Sequence, residues 1–183
     1  QDASRRHMLT DGFTNYLSTN NTYPMVIKTT AMVRANSGTG FMTRVRTFAD
    51  TLCERFEIPQ TEHICFRGLV SSEAKVLNMQ THSIFKISLA PSSLSKLSDH
   101  VNILSGRMYE DKVTDDGFIE VIISQSTMVN YNLLVGEELE IASIKYPDKS
   151  PMRFRIVGVF GISDPEDVYW IDSPDIYEDN LFM

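Results

Sequence analysis

The longest apolar run in this chain, Ile156-Val-Gly-Val-Phe-Gly-Ile162, is seven residues long. A helix that crosses a bilayer needs roughly 20 such residues, so no stretch here can do so as a helix. A short run rich in β-branched residues, bounded by turn residues, reads as a buried strand. It has several companions. Ile119 to Ile123 is apolar but for Glu120, Leu139 to Ile144 alternates, and Met152 to Phe160 follows the loop Pro147-Asp-Lys-Ser-Pro151. From Phe118 onward the sequence is strongly β, interrupted by a short helix or turn over Ser126–Leu134 and a tight turn at Val135-Gly136.

The first half has a different rhythm. Leu9, Phe13, Tyr16 and Leu17 fall on one face of an amphipathic helix over Ser4–Thr19, with Gly12 its weak point. Met25 to Arg34 alternates as a strand, and Asn36-Ser-Gly-Thr-Gly40 is a turn. Phe41, Val45, Phe48, Leu52 and Phe56 then recur at helical spacing as far as Pro59. Ile64–Val70 reads as another strand, which makes a strand-helix-strand (βαβ) unit. Ser83–Leu89 alternates again, and Pro91-Ser-Ser93 opens a short helix carrying Leu94, Leu97 and Val101, closed by Leu104-Ser-Gly106. The expected class is α+β, with a connector helix over 1–20, a βαβ subdomain over 21–75 and a mainly β subdomain over 76–183.

At 183 residues with 42% hydrophobic and 22% charged, the chain has the balance of a folded globular protein. Its net charge of −7 argues against duplex nucleic acid as a partner. The charge is lopsided: +3 over residues 1–100 and −10 over 101–183. Ser163–Asn180 holds seven carboxylates and no base, the pattern of a solvated surface segment. The chain opens on Gln1 with no basic-then-apolar leader. An excised piece of a longer protein is the expectation.

No motif for chemistry stands out. Gly38-Thr39-Gly40 lacks the spacing of either phosphate-binding fingerprint, so it reads as a turn that needs glycine dihedrals. Cys53 and Cys65 match no zinc pattern, and whether they pair as a disulfide stays open. His63 and Cys65 would share a strand face, the one arrangement that could serve a small cysteine hydrolase. His7, His63, His82 and His100 form no two-ligand helical pattern. The clusters Asp111/Asp115/Asp116 and Asp164/Glu166/Asp167 could draw calcium but lack the EF-hand spacing, and they read as turns capping their own backbone. No residue is therefore assigned to catalysis, to a cofactor or to a metal, and a non-enzyme is expected.

One ordered set of segments does carry a resemblance. Ile103-Leu-Ser-Gly-Arg-Met-Tyr-Glu110, Ile119-Glu-Val-Ile-Ile-Ser124, Asn132-Leu-Leu-Val-Gly-Glu-Glu-Leu-Glu-Ile141 and Phe154-Arg-Ile-Val-Gly-Val-Phe160 follow one another over about 60 residues. In that order they resemble the extracytoplasmic core domain of MacB/FtsX-type ABC transporter permeases. Gly106 and Gly136 suit tight turns, Arg107 suits fixing a loop, and Gly158 inside a strand marks a bulge or a close backbone approach. The resemblance implies a porter-like βαβ unit and a Sabre-like β subdomain, on the outer side of the cell membrane. It also implies a second permease subunit, ATP hydrolysis on a separate cytoplasmic subunit or domain, and a peptide, lipid-linked or protein partner outside. The alternative is a free-standing secreted or lipid-anchored ligand-binding module.

Overall fold

The computed structural model describes residues 2–32, 40–58, 60, 62–77, 87–170 and 173–183. Contacts divide the chain into two compact units, Gln1–His63 and Ile64–Met183.

The first unit is helical: α1 spans Asp2–Asn20, α2 Phe41–Asp50 and α3 Leu52–Arg55. The expected helix over Ser4–Thr19 forms and runs slightly longer, but its apolar face is not packed. Leu9 and Tyr16 are exposed, Phe13 and Leu17 only half-buried, and Met8 projects 71% exposed beside them. The helix as a whole has almost no net apolar side, so little drives that face into a core. The helix 41–56 is broken at Thr51, whose hydroxyl bonds back to the Thr47 carbonyl at 2.9 Å. Such back-bonding competes with the helical ladder and bends it.

The strand expected over Met25–Arg34 is a correction: Met25–Met32 form none, and Val33 and Arg34 lie outside the described residues. A strand holds only in a ladder, and no described residue of this unit supplies one. The βαβ subdomain over 21–75 therefore does not assemble as read. Its last strand shortens to β1, Phe66–Gly68, and belongs with the second unit.

That unit is a sheet that closes on itself. Its strands are β1, β2 (Ser72–Val76), β3 (Ile87–Leu94), β4 (Val101–Gly106), β5 (Ile119–Ser124), β6 (Glu138–Lys145), β7 (Pro151–Ile162) and β8 (Asn180–Phe182). Pairings run β3-β2-β6-β7-β5-β8 and back to β3, while β1 extends β3 and β4 extends β7. Two short helices, α4 (Leu97–His100) and α5 (Gln125–Tyr131), link strands. Ser124 caps α5 by accepting from Thr127 N at 3.0 Å.

Two apolar clusters lie against this sheet. Leu89, Val121, Ile123, Leu139, Ile141, Phe154, Ile156 and Leu181 belong to one. Ile122, Val157, Phe160, Tyr169, Trp170 and Phe182 belong to the other. β5 contributes to both in alternation, which is why its sequence is continuously apolar instead of alternating.

Two further expectations are overturned. Pro91-Ser-Ser93 opens no helix; it lies inside β3. Proline is tolerated there because the bonds fall on its neighbours: Ala90 N donates to Asp179 O and Met183 N to Ser92 O. The Pro91 carbonyl still accepts from Leu69 N at 2.9 Å. Helix α4 starts later, and Val101–Gly106 is a strand, not the end of a helix. The acidic segment is also less solvated than its charge implies. Asp164 and Glu166 are exposed, but Tyr169 and Trp170 are buried, and all of β8 is buried in the sheet. The carboxylates mask the apolar residues spaced between them.

Candidate functional site

The residues that carried the family resemblance meet at one joint of β4, β5 and β7. β4 runs antiparallel to β7 and ends at Gly106, whose φ of 76° lies in the left-handed region. A Cβ there would stand 2.1 Å from the Val157 carbonyl oxygen. Arg107 N donates to that same oxygen at 2.9 Å. A Cβ on Gly158 would stand 2.2 Å from the Arg107 carbonyl oxygen. The two backbones are pressed together as only glycine permits.

A bulge makes this approach possible. β5 and β7 are parallel, but Val121 pairs with Ile156 and Ile122 with Gly158, so Val157 is an extra residue in β7. An extra residue reverses the alternation of faces. Ile156 and Val159 accordingly belong to one cluster, Val157 and Phe160 to the other.

Arg107 then reaches across to β5. Its Nη1 donates to Glu120 Oε2 at 2.7 Å and to the Met108 carbonyl at 2.9 Å, while Nη2 donates to Glu120 Oε1. Glu110 N supplies a further bond to Glu120 Oε2 at 3.0 Å. Glu120 is only 6% exposed, so its charge rests on these donors. The Arg107 guanidinium holds the Glu120 carboxyl below its ordinary range, and Glu120 in turn raises Arg107. Both stay charged near neutrality. The pair is a clamp and not an acid–base couple.

A second charged group ties the hairpin side. Arg155 Nη2 donates to Asp116 at 2.5 Å and to Glu138 at 2.9 Å, with its guanidinium 4.4 Å from the centre of the Phe118 ring. Asp116 also accepts from Thr114, and Gly117 turns at φ 84°. The acidic turn read from sequence thus serves its own backbone and one arginine.

The remaining sequence candidates do not converge. Gly38 and Thr39 lie outside the described residues, and Gly40 has an ordinary φ of −81° at the start of α2. Cys53 and Cys65 are free, half-buried thiols. His63 and Cys65 do not share a strand, because β1 begins at Phe66, and they fall on either side of the division between units. His63 instead faces Asp50 at 3.8 Å, and His7 faces Asp11 at 3.6 Å, both near the surface. His82 is outside the described residues. Asp164 and Asp167 cap the backbone at Glu166 N and Tyr169 N. Among the described residues no group of three or more His, Cys, Asp or Glu side chains could hold a metal ion.

Sequence reasoning passed over two features. Glu120 was visible as the one break in an apolar strand, which is the signal of a buried charge with a partner. His100 pairs with Asp167 at 2.7 Å and stacks on Tyr169, the rings 3.6 Å apart and 5° from parallel. A separation of 67 residues hid that contact.

The chain is thus of the α+β class, and its second unit holds a closed sheet with an internal clamp. No protein-family model and no curated protein matches the chain. Among solved structures it is similar to a domain assigned to a permease protein of Porphyromonas gingivalis, at 19% identity and a TM-score of 0.37, covering 60% of this chain and 47% of that one. It is also similar to the periplasmic region of MacB from Actinobacillus actinomycetemcomitans, at 19% identity and a TM-score of 0.38, covering 79% and 60%. The chain thus spans less than two thirds of either structure, and at such TM-scores the likeness says nothing by itself about activity or partners. No described helix is long and apolar enough to cross a membrane.

Proposed function

We propose that this chain is part of the extracytoplasmic domain of an ABC transporter permease subunit of the MacB/FtsX type. In this reading it catalyses nothing itself. ATP is hydrolysed on a cytoplasmic subunit or domain, and the motion of the membrane helices reaches this domain and, through it, a peptide, lipid-linked or protein partner outside.

The observation that supports the reading is the joint. Gly106, Arg107, Glu120 and Gly158 come from three of the four resembling segments, and they lock three strands together through backbone contact and an ion pair between the half-exposed Arg107 and the buried Glu120. A domain that relays displacement must move as one body instead of deforming. A clamp across three strands provides that stiffness.

The test uses the parent polypeptide in its own membrane. Cys53 and Cys65 are the chain's two cysteines. In spheroplasts, a membrane-impermeant maleimide is expected to label them without lysis, with the parent polypeptide recovered in the membrane fraction. Labelling only after lysis would place the domain inside and end the proposal. Labelled protein in the soluble fraction would favour the free-standing binding module.

A further inference from the structure

We draw no further inference here: the strongest candidate, the apolar face that α2 presents through Phe41, Val45 and the exposed Phe48, has nothing in the structure to show what covers it, since Arg44, Arg46 and Arg55 are balanced by Asp50, Glu54 and Glu57 and select no partner by charge.

Discussion

At the scale of single residues, the same amino acid does quite different work at different positions. Gly158 and Gly106 are required because a backbone oxygen occupies the space a Cβ would need, at 2.2 and 2.1 Å. Gly136 turns at φ 94° with nothing within 4 Å of its Cβ position. Gly12 has open space and sits inside α1. Three alanine substitutions should therefore rank themselves. Gly158→Ala is expected to cost about 3 kcal/mol or more, since the clash is with main chain that cannot rotate away. Gly136→Ala should cost about 1 kcal/mol, the strain of a left-handed turn alone. Gly12→Ala should add helix content, by about 0.5–1 kcal/mol of helix propensity. Thermal melts of the first two and circular dichroism of the third would check the order. A Gly158→Ala protein that melts with the parent would show that β4 and β7 can separate without loss, and the clamp would not be rigid.

At the scale of elements, the acidic segment and β8 show how a strand hides in charge. Leu181 and Phe182 are 0% and 1% exposed, and β8 bridges β3 and β5 to close the sheet. Removing a side chain there should open a cavity where the circuit is completed. Leu181→Ala is expected to destabilise by about 2–5 kcal/mol, visible as an earlier denaturant midpoint. A change under about 1 kcal/mol would mean that the strand is dispensable.

The carboxylates of this unit set its acid limit. Asp167 is held below its ordinary value by the Tyr169 backbone N–H, with His100 adding to the effect, and Glu120 is held down by Arg107. A carboxyl lowered in the folded state adds stability above its unfolded value and loses it as pH falls through the folded one. Stability should thus decline as pH drops below the ordinary values of 3.8 for aspartate and 4.5 for glutamate. Asp167→Asn should be less stable than the parent near neutrality and should lose less on acidification. Parallel melts between neutral pH and about pH 3 would show the two curves converging. Curves that stay parallel would remove Asp167 from the account.

What the sequence made legible follows from the range of each interaction. β5, β6 and β7, the loop 147–151 and the turn at Gly136 are local patterns, and all were read in place. The bulge at Gly158 was readable because glycine in an apolar strand has few other reasons. Pro91 misled because its meaning depends on which neighbours donate, and β8 partners β3 from about 90 residues away. Met25–Met32 shows the opposite limit: the alternation is there, but no strand among the described residues pairs with it. Of the candidate site, Gly106, Arg107 and Gly158 were singled out from the resemblance, whereas the partner of Glu120 depends on packing.

At the scale of the whole molecule, the division at His63/Ile64 governs how the chain should unfold. Both apolar clusters are drawn wholly from residues 64 onward, and the clamp and the closed sheet belong to that unit as well. The first unit offers only Leu52 as a buried apolar residue among those described. Its helices expose Met8, Met42 and Phe48, and Phe56 just beyond α3 is exposed too, so little hydrophobic burial holds them. A fragment of residues 64–183 should therefore fold alone, with a melting midpoint within about 3 °C of the full chain. Native-state hydrogen exchange on the full chain should show α1, α2 and α3 opening at far lower free energy than β5 and β7. If the fragment fails to fold, or both units exchange at one common free energy, the helical unit is part of the core. The rigid body would then include the helical unit as well as the closed sheet, and any motion reaching the clamp would have to move α1 with it.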